Sequence, residues 1–160
     1  MTDIANMARF LASMRRMSIA ALMIIVSTTS GIAQLSLAPL SPDEVRMRLF
    51  AQRVIGEYSN GQNWAEKFNS DGTSLYVENE RLLTGKMHFE GKRLCFTYNN
   101  EAMTGGCFEI WPRGSNCFDF YAQRKEGLPA TLNDKRFGRG WDARAWVDGS
   151  PSTCQTEHIS

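Results

Sequence analysis

The chain has 160 residues, of which 42% are hydrophobic and 22% are charged, with 18 basic and 17 acidic side chains. This length supports one ordinary globular core and not two. The near-neutral charge argues against binding of nucleic acid through overall charge, and the 11% aromatic content argues against general disorder.

The N-terminal residues have the pattern of a secretory signal peptide. Arg9, Arg15 and Arg16 precede an apolar run at residues 19–26. That run is too short and too rich in Ser and Thr for the ~20 apolar residues of a membrane-spanning helix. Small residues at the positions read by signal peptidase predict cleavage after Ala33.

Cleavage there divides the chain into a signal peptide, residues 1–33, and one mature domain, residues 34–160. The expected location is therefore periplasmic or secreted, with no membrane span after cleavage. An uncleaved N-terminal anchor is the alternative.

The mature part contains four cysteines, an even number in an exported chain, which predicts two disulfides in an oxidising compartment. Cys95 and Cys107 lie in two segments that read as neighbouring antiparallel strands, so we expect them to pair. Cys117 then pairs with Cys154. The chain has no Cys-x-x-Cys motif and its histidines are isolated, so no metal site is expected.

A dense helix-start signal occupies residues 40–45. Ser41 is the expected N-cap, Pro42 the first helical residue, and Glu44 completes a capping box. We expect one helix over about residues 41–55, which packs on the domain through a face containing Met47, Phe50, Ala51 and Val54.

From Gly56 onward the apolar residues alternate, and turn signals such as Asn60-Gly61 and Asp71-Gly72 divide residues 56–121 into short strands. With no helix-length segment between them, these strands predict a mainly β fold: an antiparallel meander that forms a small barrel or a curved sheet, with one N-terminal helix. Residues 122–160 read as an irregular segment that adds an edge strand or a strapping loop.

Alternation also predicts which side chains share the buried face of the sheet. These are Trp64, Phe68, Leu75, Val77, Met87, Phe89, Leu94, Phe96, Phe108, Ile110, Phe118 and Phe120.

The sequence contains no catalytic or cofactor motif with the neighbouring strands, helices or partner residues that such a motif needs to function. The segment GRGWDA at residues 138–143 has the letters of a dinucleotide-binding fingerprint but no predicted strand before it or helix after it. His88 and His158 support no triad. The expectation is a protein that is not an enzyme and has no cofactor.

The candidate ligand-binding residues form a basic and aromatic cluster near the C-terminus, where guanidinium groups and indoles can pair with an anion or stack on a glycan. The cluster consists of Arg136, Arg139, Trp141, Arg144 and Trp146, with Lys135 beside it. The alternative is a cationic surface loop whose tryptophans plug the open end of the barrel.

The order of these features resembles a family of small exported bacterial proteins that is classed only as a domain of unknown function. The resemblance covers about residues 40–121 and rests most on LCFTY at residues 94–98 followed by Cys107-Phe108. It implies export and a β-meander, and it supplies no activity and no catalytic residues.

Together these features favour a non-enzymatic module that binds an envelope protein or a small ligand, one version being an inhibitor of an envelope hydrolase or protease. Two alternatives remain. One is a small hydrolase that uses carboxylates at the sheet rim, such as Glu78 with Glu80 or Glu101 with Glu109. The other is a purely structural envelope protein.

Overall fold

The computed structural model describes residues 38–100, 103, 105–123 and 128–154. The expected signal peptide lies outside the described residues. In chain order the elements are α1 (Pro42–Leu49), β1 (Arg53–Tyr58), β2 (Asn63–Phe68), β3 (Thr73–Glu78), β4 (Arg81–Glu90), β5 (Arg93–Tyr98), β6 (Gly106–Pro112), β7 (Phe118–Ala122), α2 (Leu132–Phe137) and β8 (Ala143–Val147).

The eight strands form a closed antiparallel barrel in which each strand pairs with the next and β8 pairs with β1. Several neighbouring strands are joined by tight turns in which left-handed glycines, such as Gly61 at φ +83° and Gly91 at φ +60°, reverse the chain. The connection from β7 to β8 instead contains α2. Closure removes the unpaired edges of the sheet. The predicted fold class, a mainly β antiparallel meander with one N-terminal helix, is confirmed.

The N-terminal helix begins as predicted but ends six residues early, at Leu49. Ser41 and Glu44 form the expected capping box, with Ser41 N donating to Glu44 Oε2 at 2.7 Å. Phe50 is extended and Ala51 has φ +61°, which ends the helix. Residues 53–55 belong to β1, where β-branched Val54 packs inside the barrel.

The buried face of this helix also differs from the prediction. Val45 and Leu49 are buried, whereas Met47 is 76% exposed. One end of the barrel is closed by Val45, Leu49 and Leu40, which belong to the same core cluster as Phe68. Leu40 N donates to Ile110 O at 2.8 Å, which fixes the entry of the chain across that end.

Most of the predicted inward side chains are buried or packed on the core, but strand β3 has the opposite phase. Leu75 and Val77 are 39% and 40% exposed, while Ser74 and Tyr76 point inward. The prediction for β3 is wrong because it assigned the most hydrophobic residues to the inside. The inward residues of β3 instead carry hydroxyl groups, which lie near the other polar groups of the barrel interior.

The predicted irregular C-terminal segment contains α2 and the last strand of the barrel. Strand β8 pairs with both β1 and β7, so it is an internal strand and not an edge. The segment before it packs on the outside of the sheet: Lys135 Nζ donates to Glu109 Oε2 at 2.8 Å, and Arg113 donates to backbone carbonyls of residues 135 and 136.

Both predicted disulfides are present, Cys95 with Cys107 and Cys117 with Cys154. Cys95 and Cys107 lie directly opposite each other on β5 and β6. The second bridge attaches the segment after β8 to the start of β7. Two disulfides indicate an oxidising, non-cytoplasmic location. Within the described part of the chain, no helix has the length and apolar character to cross a membrane.

Candidate functional site in the barrel interior

A cavity of about 320 Å³ lies in the barrel, toward the end where β1 and β5 finish and β6 and β8 begin. This is the end opposite α1, and the volume is at the low end of the range for ligand pockets. The lining is mainly aromatic and consists of Tyr58, Trp64, Glu66, Tyr76, Phe96, Tyr98, Met103, Gly105, Gly106, Phe108, Phe120 and Ala143.

The aromatic walls form because inward positions of successive strands carry rings that contact one another. Trp64 stacks on Tyr76 and meets Phe120 edge to face, with ring centroids 6.3 and 6.0 Å apart. Tyr76 also contacts Tyr98 at 5.2 Å. Edge and offset contacts of this kind hold the rings in place.

Small residues on neighbouring strands make room for these rings. A Cβ on Gly56 would lie 2.8 Å from Trp64 Cζ2 and 2.4 Å from the carbonyl oxygen of Arg144. On Gly85, a Cβ would lie 2.8 Å from the ring of Tyr98. The two glycines therefore allow a large ring on the neighbouring strand to lie flat against the barrel wall.

Glu66 is the only carboxylate among the lining residues that the structure describes. It is 3% exposed, and Tyr98 Oη donates to its Oε1 at 2.9 Å. Burial raises the pKa of Glu66 to about 7, although the Tyr98 hydrogen bond and the nearby Ser74 hydroxyl act in the opposite direction. In the described part of the chain, no Lys or Arg forms an ion pair with this carboxylate.

Other polar atoms of the barrel interior are only partly satisfied. The hydroxyls of Tyr58 and Tyr76 are 2.8 Å apart and share one hydrogen bond. Two buried side-chain atoms of the described residues have no hydrogen-bond partner, Trp64 Nε1 and Ser74 Oγ. Unpaired buried groups carry a free-energy cost that a bound molecule or water removes.

The candidate binding cluster from the sequence is not brought together at this cavity. Arg144 is buried on the outside of the barrel, where its Nε donates to Asp119 Oδ1 at 2.6 Å and its guanidinium stacks on Trp141. Arg136 and Arg139 are exposed, and Trp146 is half-buried opposite Ile55. Neither tryptophan lines the cavity. A binding role for these residues stays a prediction.

The acid pairs considered for hydrolysis do not meet at the cavity either. Glu109 points outward to Lys135, at 2.8 Å, and Glu78 and Glu80 are absent from the cavity lining. Glu101 lies outside the described residues.

One cluster has the composition of a metal site. Potential ligand atoms of His88, Glu90 and Cys95 lie within 4.8 Å of one another. Cys95 is in a disulfide, however, so its sulfur is no thiolate ligand and the cluster gives no metal site.

Glu66 and its tyrosine neighbours were missed at the sequence level. A signal for Glu66 was present, because strict alternation from Trp64 to Phe68 places residue 66 on the same inward face. Tyr58 was missed because the first residues of its strand, β1, were predicted as helix. Tyr76 was missed because the prediction for β3 placed its neighbours Leu75 and Val77 inside the barrel.

No protein-family model matches this chain, and neither a curated protein nor a solved structure is significantly similar to it.

Proposed function

We propose that the protein is an exported binding protein that holds one small molecule inside its barrel. The observation that carries this proposal is the aromatic cavity of about 320 Å³, which contains a buried carboxylate and lies beside unpaired polar atoms. Apolar walls with a few convergent polar groups are typical of small-molecule sites.

The barrel architecture supports the same proposal. Eight-stranded barrels are just wide enough to be filled by side chains or to hold one small ligand. Here α1 fills the end near Leu49, and the other end keeps a cavity. A cavity inside the barrel favours a small ligand over a protein partner as the bound species. Because the described residues of the rim acid pairs do not line this cavity, it also favours non-enzymatic binding over hydrolysis by those carboxylates.

Export to the periplasm or beyond is part of this proposal. The disulfides and the N-terminal sequence pattern support it. The protein isolated from cells is expected to begin at Gln34. N-terminal sequencing tests this, and an intact N-terminus would contradict it.

Cavity binding is tested with benzyl alcohol, a small neutral aromatic probe, by saturation-transfer NMR. Ala143→Leu adds side-chain volume at the cavity wall and is expected to reduce binding at least tenfold. Ala65→Leu makes the same change on an outward position of β2 and should leave binding within about twofold.

Two results decide the proposal. Loss of benzyl alcohol binding in Ala143→Leu alone, with the melting temperature retained, supports the cavity as the site. No binding to the native protein, or equal binding to both variants, overturns it.

A further inference from the structure

We infer that the ligand of this cavity is a small organic ammonium ion, with Glu66 as its counter-ion and the surrounding aromatic rings as its cage. The inference rests on the proposed function and specifies its ligand class.

The first argument is the missing partner of a buried acid. Glu66 is 3% exposed, accepts a hydrogen bond from Tyr98 and lies near the Ser74 hydroxyl, but it has no ion pair within the described ranges. An ionised carboxylate has up to four acceptor positions, and in a low-dielectric site it is costly without a cation. A cationic ligand supplies that charge.

The second argument is the chemistry of the walls. Trp64, Tyr76 and Tyr98 face the space beside Glu66, and phenylalanines 96, 108 and 120 complete the lining. The faces of aromatic rings carry negative charge density and attract ammonium groups, most strongly where water is excluded. A carboxylate in a cavity lined by aromatic side chains is therefore complementary to a cation that also has apolar substituents.

The third argument excludes the opposite charge. Among the described lining residues there is no Lys, Arg or His, so none of them neutralises a fatty acid, a phosphate or another anion. Glu66 would repel such a ligand in its ionised form. The basic residues of the C-terminal cluster do not compensate, because they are absent from this lining.

Binding of a cation requires the ionised form of Glu66, which predicts a pH dependence. The titratable groups that face Glu66 are Tyr58 on β1, Tyr76 on β3 and Tyr98 on β5, and burial raises the pKa of each hydroxyl above its ordinary value. Glu78 acts on Tyr58 and Tyr76. The tyrosines stay neutral between pH 5 and 9, so Glu66, with a pKa of about 7, sets the profile.

The test compares two probes of nearly equal shape, choline and its neutral carbon analogue 3,3-dimethyl-1-butanol. Binding to the oxidised mature protein is followed at constant ionic strength by NMR, through the indole Nε1–H signal of Trp64. The variant Trp64→Phe serves only to assign that signal. A shift at Trp64 reports the cavity and not a distant surface.

We expect choline to bind at least tenfold more tightly than the neutral analogue at pH 8. The affinity for choline should fall about tenfold per pH unit below pH 7 and level off above it, since a proton must leave Glu66 on binding. Glu66→Gln keeps the shape of the side chain and should weaken choline binding at least tenfold. Glu57→Gln, an outward carboxyl on the adjacent strand β1, should leave it unchanged.

The inference is overturned if both probes bind equally, if Glu66→Gln retains choline affinity, or if choline does not shift the Trp64 signal. A choline affinity that falls above pH 7 would show that binding requires protonated Glu66 and not its carboxylate, which also overturns the inference. These outcomes are separate from the proposed function, because benzyl alcohol tests cavity binding without a charge.

Discussion

Glu66 and Asp119 are both buried carboxylates on barrel strands, but they face opposite sides of the sheet. Asp119 points outward and has two arginine partners, Arg113 Nε and Arg144 Nε, each 2.6 Å from a carboxylate oxygen. Glu66 points inward and has a tyrosine partner. The charge of Asp119 is therefore balanced by side chains of the protein itself, whereas that of Glu66 has no cationic partner among the described residues.

The first prediction concerns the effect of Glu66 on stability. Its pKa is raised from 4.5 to about 7 in the folded state. Between these two pH values the folded protein keeps a proton on Glu66 that the unfolded chain has lost. The contribution of this group to stability is therefore present at low pH and is lost as the pH rises toward and through 7.

Relative to Glu66→Gln, the native protein should lose about 2–3 kcal/mol of unfolding free energy between pH 5 and pH 8. Urea denaturation of both proteins at the two pH values measures this difference. Parallel pH dependence of the two proteins would show that Glu66 is not buried as described.

The second prediction concerns Asp119. Asp119→Asn leaves Arg113 and Arg144 without their counter-charge beneath α2, and we expect a loss of about 3–5 kcal/mol in the free energy of unfolding. Asp148→Asn removes the partner of Arg53 at an exposed site and should cost less than about 1 kcal/mol. Similar losses in the two variants would contradict a structural role for the buried network.

At the scale of single elements, α1 acts as the closed end of the barrel. Leu49 is fully buried among core side chains, whereas Met47 on the same helix is 76% exposed. Helices of this length have little stability of their own, so the helix persists because its buried face packs against the barrel.

The third prediction uses that contrast. Leu49→Ala creates a cavity under the helix and should cost about 2–5 kcal/mol of unfolding free energy, while Met47→Ala should cost less than about 0.5 kcal/mol. Urea unfolding checks both values. Equal effects would mean that the helix does not close the barrel through Leu49.

Element boundaries were predictable only where the signal was local. The start of α1 follows from Ser41, Pro42 and Glu44, whose interactions span three residues. Its end was missed because residues 50–55 continue a helical spacing, and only the pairing of β1 with β2 and β8 makes residues 53–55 part of a strand. Tertiary pairing outweighs weak helix propensity in such a segment.

At the scale of the whole molecule, the barrel is held by strand pairing around its circumference and by two covalent links. Cys117 and Cys154 are 37 residues apart in the chain, a separation that includes α2 and β8. A link across such a segment restricts the unfolded chain strongly, because the entropy lost grows with loop length.

The fourth prediction follows from these loop lengths. Replacing Cys117 and Cys154 together by Ser should cost about 4 kcal/mol, and replacing Cys95 and Cys107 about 3 kcal/mol, by the loop-closure relation. Urea denaturation of both double variants under non-reducing conditions measures the two losses. A larger loss for the shorter loop would show that local packing, and not chain entropy, dominates.

The sequence by itself determined the features that depend on neighbouring residues. Turn glycines and alternation predicted the antiparallel meander, and the capping box predicted the helix start. The LCFTY segment and its partner strand predicted the pairing of Cys95 with Cys107, which left Cys117 for Cys154.

The tertiary structure alone decided the closure and the site. Pairing of β8 with β1 joins segments about 90 residues apart, for which no local pattern exists. That closure places Glu66, Tyr76 and Tyr98 around one cavity. It also turns the arginines of the C-terminal segment outward, where Arg144 pairs with Asp119. Whether a polar side chain is buried beside a cavity or in an ion pair depends on which strands surround it, and only the closed barrel specifies those neighbours.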